Sequence, residues 1–388
     1  MAVNTEDIKQ LVKSALVKHS GQKGLEFAKD EKDLQVEEIS TGNLNNVFRI
    51  ISRSKPALSV VVKHAPPYIK CLGPAYPLST ERGSIEFKAH QMFHKISPGS
   101  VPEPIFYDEE NKILCMEDLR KHVDYRKHLL AGNVDVKLAE ALARHLALVH
   151  SATHVSKIGD DEIEELNERF NNSSLVSLTK QYVFTRPFSK GNPTNRCTAK
   201  VTPHLGAIYD DTDILETAKV LKKLFQSKKE CLIHGDLHTG SLMVTEQDVR
   251  MTDTEFAFVG PAAFDLGLLF ANYIFCYYHH LSKTEDTGRA TAFKVLDCCN
   301  GVSLIYQETI TRFSGDNKVD YIKNLLSEAA GFAGCELIRR IVGAWHVEDT
   351  EDYPVVEPEI LGAGVRLLKG YKRIHDVGTM LVIGLMLA

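Results

Sequence analysis

The chain has 388 residues, of which 44% are apolar and 25% charged, and its formal net charge is −5. This composition is ordinary for a soluble globular protein and argues against a long disordered region. The length exceeds that of most single hydrophobic cores, so two domains are expected. No dense run of Lys and Arg indicates nucleic-acid binding.

Both termini and the cysteines bear on location. The N-terminal 20 residues carry charges and lack an apolar run, so we expect no secretory signal and a cytoplasmic protein. The apolar segment 377–388 is too short to span a bilayer and predicts a docked terminal helix. The eight cysteines are scattered without a Cys-x-x-Cys pair, which argues against a zinc ribbon or a disulfide framework. Cys115 and Cys231 lie in apolar runs and are predicted to be buried thiols.

The first part of the chain is predicted to be rich in β structure. Strands are predicted over 36–39, 47–51 and 58–63, and a hairpin over 105–107 and 112–116. A helix is expected to start at Thr80 or Glu81 and to continue through Phe93, after an irregular, proline-rich loop.

The second part is predicted to be mainly helical. Helices are expected over 138–150, over most of 161–230 and from 264 onward, with a strand at 231–234 and a hairpin of 242–245 with 249–252. The layout predicts an α+β chain with a β-rich N-terminal lobe, 1–116, and a mainly α-helical C-terminal lobe, 117–388.

The segment Ile233-His-Gly-Asp-Leu-His-Thr-Gly-Ser241 carries the strongest chemical signal. A protein-kinase catalytic loop has the form H-x-D-x-x-x-x-N and is followed by a metal-binding Asp. Asp236 takes the position of the base, Ser241 that of the Asn, and Asp253 that of the metal-binding Asp. Glu255 faces the same way as Asp253 if the backbone is extended there. The pattern therefore predicts phosphoryl transfer with Mg²⁺.

Two other interpretations of this segment stay open. The first is a plain hairpin with exposed acids. The second is a metallohydrolase site, because His234, Asp236 and His238 alternate and would share one face of an extended strand.

Lys63 ends an apolar strand, and a lysine there can reach the phosphates of ATP. Glu86 on the following helix is the expected partner, although a lysine that ends a strand is usually a solvated charge. Gly42-Asn-Leu-Asn45 occupies the place of a phosphate-covering loop without its glycine pattern. Asn45 could offer an amide to phosphate, or the segment could be a simple hairpin turn.

Two further segments are candidates for ligand contact. An extended backbone at Glu117, Asp118 and Leu119 could bind an adenine edge at the border of the lobes. Arg339 and Arg340 are neighbours in an apolar helix and point about 100° apart. At least one is therefore expected to face a ligand or a carboxylate, and an ion pair with Glu336 is the plain alternative.

Taken together, these motifs resemble the 5-methylthioribose kinase family, in the aminoglycoside-phosphotransferase and choline-kinase group with a bilobal protein-kinase-like fold. The resemblance rests on His-Gly-Asp-Leu-His-Thr-Gly-Ser, on Asp-x-Glu-Phe-Ala-Phe and on Gly-Phe-Ala-Gly-Cys-Glu-Leu-Ile-Arg-Arg. It spans about residues 35 to 350.

The resemblance implies ATP-dependent phosphorylation of the 1-hydroxyl of 5-methylthioribose in methionine salvage, by a homodimer. It implies ATP contacts from Asn45, Lys63 and 117–119, and Mg²⁺ ligands in Asp253 and Glu255. Asp236 would be the base. Arg339 and Arg340 would help bind the substrate and stabilise the transferred charge.

The chain departs from the family at two positions. Thr254 stands between the two metal acids where the family usually has Pro, and Tyr76 stands in the sugar loop where it usually has Trp. These departures keep other acceptors open, namely choline, homoserine or an aminoglycoside. An arginine pair argues against the cationic ones. A nucleotide-binding pseudokinase is the rival from another class. No nucleic acid or membrane partner is expected.

Overall fold

The computed structural model describes residues 5–40, 43–283, 286–311, 318–351 and 353–387. The chain forms two compact units: the first comprises Met1–His122 and Arg250–Ala257, and the second comprises Val123–Val249 and Phe258–Ala388. The border predicted at residue 117 lies at the end of a strand, five residues before His122, where the first segment of the first unit ends, and this unit also takes in the segment 250–257.

The first unit is built on a five-stranded antiparallel sheet. Its elements are α1 (Thr5–Lys18), β1 (Leu34–Ser40), β2 (Asn46–Ser52), β3 (Ser59–His64), α2 (Arg82–Ile96), β4 (Pro104–Asp108) and β5 (Ile113–Glu117). The strand order is β1-β2-β3-β5-β4. The predicted strands, the hairpin and the helix after Thr80 are therefore present, with ends that differ by a few residues.

Alternation along β3 decides which side chains reach the core. Val60 and Val62 are buried in the apolar cluster that α1 closes with Val12 and Leu16. Because successive side chains in a strand point to opposite faces, Lys63 lies on the face away from this cluster.

The segment 250–257 joins the first unit through its backbone and a charged side chain. The amide of Met251 donates to the carbonyl of Ser100, with 2.7 Å between N and O. The Arg250 guanidinium lies 3.7 Å from the Glu117 carboxylate. Asp253 and Glu255 are thus held in the same unit as Lys63.

The second unit is mainly helical, as predicted. Its elements up to the catalytic-loop region are β6 (Val123–Asp124), α3 (Tyr125–Leu130), α4 (Val136–Ala152), α5 (Val155–Arg169), α6 (Ser173–Phe184), α7 (Gly206–Tyr209), α8 (Thr212–Ser227), β7 (Cys231–Ile233) and β8 (Leu242–Val244). They are followed by β9 (Val249–Met251), which continues into the first unit, and then by β10 (Phe258–Gly260), α9 (Ala262–Leu281), α10 (Asp286–Thr311), α11 (Lys318–Val342), α12 (Glu348–Glu351), α13 (Glu357–Gly370) and α14 (Val377–Leu385).

Aromatic rings and glycines set the helix packing of this unit. The rings of Phe225 and Phe264 have centroids 4.6 Å apart, and those of Phe264 and Phe332 are 5.3 Å apart. Helices α11 and α13 approach through glycines, since a Cβ on Gly334 would lie 2.9 Å from the carbonyl oxygen of Gly364. Because no side chain separates the two backbones at this contact, the position of α11 relative to α13 is fixed.

The predicted terminal helix and the two predicted buried thiols are present. The segment 377–385 forms α14, which buries Met380 and Leu381. All eight cysteines are free thiols, and Cys115 and Cys231 are buried. Within the described ranges, no helix is long and apolar enough to cross a membrane.

We predict that Gly267→Ala lowers the stability of the second unit. A Cβ at Gly267 would lie 2.7 Å from the carbonyl oxygen of Ala329, and overpacking a helix contact costs about 1–3 kcal/mol. Thermal unfolding checks this. Gly378→Ala is the matched control, since Gly378 is exposed and the added Cβ would meet only the end of the Asp376 side chain. Equal melting temperatures of the two variants would contradict the packing argument.

Candidate active site

Lys63 is the centre of a buried charged cluster in the first unit. Its Nζ lies 2.5 Å from Oε1 of Glu86, and it also donates to the carboxylate of Asp253. The contact with Glu86 predicted from the sequence is therefore present, and the alternative of a solvated lysine is wrong, because Lys63 is only 8% exposed.

The acids around Lys63 change its titration and that of Glu86. Burial raises the pKa of Glu86 to about 7, since Lys63 offsets the loss of water only in part. Burial alone would lower the pKa of Lys63, but Asp253, Glu86 and Glu255 outweigh it and raise that pKa. The lysine stays charged, as a contact for phosphate requires.

The backbone at Asp253 is not extended, so the condition under which Asp253 and Glu255 would face the same way along a strand is not met. Asp253 has φ 59° and ψ 38°, in the left-handed region that Asp tolerates better than most residues. A 3-10 turn, Thr254–Phe256, follows. Glu255 is therefore placed by a turn, and Thr254 is fully buried with its hydroxyl 3.5 Å from the carbonyl oxygen of Glu86.

Asn45 bridges to this turn. Its amide Nδ2 donates to Oε2 of Glu255 over 2.9 Å, and its Oδ1 accepts from Nε of Arg82 over 3.0 Å. Asn45 is buried, and Gly42, at the start of the predicted phosphate-covering loop, lies outside the described residues.

Carboxylates with hard oxygen donors suit Mg²⁺. Asp253 and Glu255 both belong to the cluster around Lys63, and the Asp253 side chain is 46% exposed. This donor set fits the Mg²⁺ that the sequence predicts.

The remaining candidates of the first unit lie at its sheet end and in a loop. The Asp118 carboxylate accepts from Nε of Arg49 over 2.9 Å and from the Ser59 hydroxyl over 2.6 Å. Its side chain is therefore occupied. The backbone of Glu117 bonds to Glu103, and Leu119 is buried.

Tyr76 lies in the loop between β3 and α2. Its side chain is half-exposed. Its amide donates to the carbonyl of Gly73, and its carbonyl accepts from the amide of Ile69. The backbone of this loop is thus folded on itself, and the aromatic ring is presented at its surface.

In the second unit, Asp265 fixes the loop that carries Asp236. Strand β7 ends at Ile233, and the amides of His234 and Gly235 donate to the Asp265 carboxylate over 2.7 and 2.9 Å. Gly235 has φ +83°, a conformation that favours glycine. His150 supports Asp265 from behind, with Nε2 3.2 Å from its carboxylate.

The turn at Gly235 overturns the premise of the metallohydrolase interpretation. Because the strand has ended, His234, Asp236 and His238 do not share one strand face. In the part of the chain that the structure describes, no group of three or more His, Cys, Asp and Glu side chains is placed to hold a metal ion.

Asp236 lies beside an arginine and a histidine that is neutral, because burial lowers the pKa of His238 well below its ordinary value. An Nη of Arg339 is 3.7 Å from its Oδ1, and Nε2 of His238 is 3.6 Å from its Oδ2. Desolvation raises the pKa of Asp236, and the charges of Arg339 and Arg340 act against that rise. The arginines therefore favour the ionised form that a base requires.

Both arginines are also paired within their own helix. Nε of Arg340 donates to Glu336 over 2.8 Å, and Nε of Arg339 donates to the other oxygen of that carboxylate. Burial alone would raise the pKa of Glu336, but the two arginines bring it below its ordinary value. The ion-pair alternative is thus confirmed, and Arg339 faces Asp236 as well.

Two arginines with several polar partners were not predicted from the sequence, the buried Arg82 in the first unit and the partly buried Arg126 in the second. Nη2 of Arg126 donates to Asn272 over 2.8 Å, its Nε to the Thr239 hydroxyl over 3.2 Å, and the same nitrogen lies 3.3 Å from Asp349. Arg126 thereby ties the loop after Asp236 to α9. Neither arginine belongs to a recognisable motif, so no local signal marks them.

Comparison with known proteins supports the family that these features suggest. The sequence profile of the phosphotransferase enzyme family matches residues 35–278. A methylthioribose kinase of Bacillus thuringiensis (strain Al Hakam) is 33% identical over 357 residues, with 88% of each chain covered. A methylthioribose kinase of Bacillus cereus (strain G9842) is 33% identical over 380 residues, with 91% of this chain and 93% of the relative covered.

Among solved structures, the crystal structure of choline kinase from Cryptosporidium parvum Iowa II aligns with a TM-score of 0.50 at 15% identity, covering 98% of this chain and 96% of that one. This likeness confirms the predicted α+β, protein-kinase-like fold. The chain belongs to the phosphotransferase enzyme family and is a small-molecule kinase. Its resemblance to the methylthioribose kinases, first seen in the motifs, is confirmed by these relatives.

We predict that Arg339→Gln moves the acidic limb of the pH profile of kcat/KM to higher pH. Removing a positive charge beside Asp236 raises the pKa of that carboxyl, so the carboxyl stays protonated to a higher pH. At neutral pH we expect kcat/KM to fall about 100-fold, the loss typical of a charge-stabilising group. Initial rates over a pH series measure both effects.

The control is Arg144→Gln, which removes an exposed arginine of α4 in the same unit. We expect its pH profile to match that of the unsubstituted protein. An Arg339→Gln profile with an unchanged acidic limb would show that Asp236 does not titrate under the influence of Arg339.

Proposed function

We propose that this kinase transfers the γ-phosphoryl group of ATP to the 1-hydroxyl of 5-methylthioribose. The observation that carries the acceptor is the 33% identity to methylthioribose kinases across 88% of both chains. The geometry that supports the chemistry is the pairing of Lys63 with Glu86 and Asp253 in one unit, and of Asp236 with Arg339 in the other.

The first unit would hold the nucleotide. Lys63 would contact its phosphates, held by Glu86, and Asn45 would add an amide. The backbone of 117–119 would bind the adenine edge. Asp253 and Glu255 would hold Mg²⁺, which when bound neutralises charge on the phosphates.

The second unit would hold the acceptor. As the sugar oxygen forms its bond to the γ-phosphorus, the bond from that phosphorus to the bridging oxygen breaks and ADP leaves. Asp236 would orient the 1-hydroxyl and accept its proton. Arg339 and Arg340 would offset the negative charge of the transferred group.

The acceptor side favours an uncharged molecule over a cation. Two guanidinium groups, Arg339 and Arg340, lie by Asp236, and both influence its titration. A quaternary ammonium group such as that of choline would meet these charges at close range, which costs binding energy. Tyr76, in the loop between β3 and α2, would offer an aromatic face to the sugar. On the same resemblance we propose a cytoplasmic homodimer that acts in methionine salvage.

The test is ATP consumption with Mg²⁺ in the presence of 5-methylthioribose, ribose, choline or homoserine in separate assays. We expect turnover selective for 5-methylthioribose, and Asp236→Asn should lower kcat at least ~100-fold, because it removes the base. Phosphorus NMR of the product would place the phosphate on the 1-oxygen. The matched control is Asp161→Asn, an exposed acid of α5 in the same unit, which should keep full activity.

Each outcome separates the alternatives. Turnover with another acceptor would retain the chemistry and replace the substrate. ATP binding without turnover on any of these molecules would favour a pseudokinase. Equal activity of Asp236→Asn and Asp161→Asn would remove Asp236 from the mechanism.

A further inference from the structure

Arg82 is a buried cation at the start of α2. It is 1% exposed and is among the largest fully buried side chains. Arginine is rarely buried without partners, because removing its charge from water is costly. Its position therefore demands a set of acceptors that replaces water.

The guanidinium group finds acceptors in three separate segments. Its nitrogens donate to Oδ1 of Asn45 at 3.0 Å and to the carbonyl oxygens of Leu44 at 3.1 Å, Pro66 at 2.8 Å and Ser79 at 2.6 Å. Its Nε also forms an ion pair with the carboxylate of Glu255 at 3.3 Å. One side chain thus joins the loop before β2, both ends of the loop that carries Tyr76, and the turn after Asp253.

Arg82, Asn45 and Glu255 form a closed triangle. Arg82 donates to the Asn45 amide oxygen, the amide nitrogen of Asn45 donates to Oε2 of Glu255 over 2.9 Å, and Glu255 pairs with Arg82. The triangle fixes which way the Asn45 amide points. It also fixes one oxygen of a carboxylate proposed to hold Mg²⁺.

Helix α2 couples this triangle to Lys63. Arg82 and Glu86 are four residues apart and therefore lie on the same face of the helix. Arg82 pairs with Glu255, and Glu86 pairs with Lys63. One helix face thus supplies a cation to the proposed metal ligand and an anion to the proposed phosphate ligand.

We propose that Arg82 is a positioning residue that presets Asn45 and Glu255 for Mg²⁺-ATP. This rests on the proposed roles of those two residues. Only arginine fits the position, because its planar group carries five donors in a fixed fork, whereas lysine has a single ammonium that cannot reach acceptors in three segments at once.

The test compares ATP affinity with and without Mg²⁺ by titration calorimetry, without any acceptor. The readout is the ratio of the two dissociation constants, which isolates the metal-dependent part of binding. In Arg82→Lys we expect this ratio to shrink about tenfold, because Glu255 loses its fixed orientation, a cost of the size that second-shell changes cause at metal sites.

Ser52→Ala is the matched control. Ser52 is fully buried in β2 of the same unit and donates to Asp33 over 2.7 Å, and it contacts none of the proposed ligands. We expect it to lower the melting temperature and to leave the ratio unchanged. A purely structural role for Arg82 would give the same pattern as Ser52→Ala, and that result would overturn the proposal.

Two further outcomes have fixed meanings. If Arg82→Lys does not fold, Asn45→Ser tests the same triangle, and an unchanged ratio there also overturns the proposal. A ratio near one in the unsubstituted protein would overturn the metal site of Asp253 and Glu255, and the role of Arg82 with it. Failure to phosphorylate 5-methylthioribose would leave the ratio, and this inference, untouched.

Discussion

The buried acids around Lys63 constrain the whole first unit. Carboxylates removed from water repel one another and are stable only beside cations. Glu86 and Glu255, which are buried, meet this condition through Lys63 and Arg82, which come from β3 and α2, and the half-exposed Asp253 adds a third acid beside Lys63. The sheet, the helix and the turn after β9 must therefore assemble together. Carboxylates that need nearby positive charge also suit a divalent cation. That cation and Lys63 together suit a polyphosphate.

The second unit has a different structural requirement, which is to hold one acid, Asp236, on a sharp turn. Asp265 holds the amides of His234 and Gly235, so the backbone is rigid before Asp236 begins. Arg339, on α11, acts against the rise in the pKa of that acid that desolvation causes. Backbone placement and charge are thus supplied by separate elements. Substitutions that alter the titration of Asp236 need not disturb the loop that carries it.

The sequence was informative where function lies in contiguous motifs. The strands, the main helices and the contact of Lys63 with Glu86 could be predicted, because period and spacing are local properties. The left-handed turn at Asp253 could not, since tertiary contacts impose a conformation that the residue itself does not prefer. Arg82 and Arg126 escaped prediction for a related reason. Their partners lie far apart in the sequence, and a lone arginine in a helix usually points to water.

The close contact of α11 with α13 has a consequence for how acceptor preference could change. At Gly334 and Gly364 the two backbones touch, so α11 cannot slide or rotate as a unit without a clash. Arg339 and Arg340 follow Gly334 by about one and a half turns, so their positions depend on this contact. We expect that divergence toward new acceptors proceeds through substitution of loop residues such as Tyr76, while Arg339 and Arg340 keep their positions.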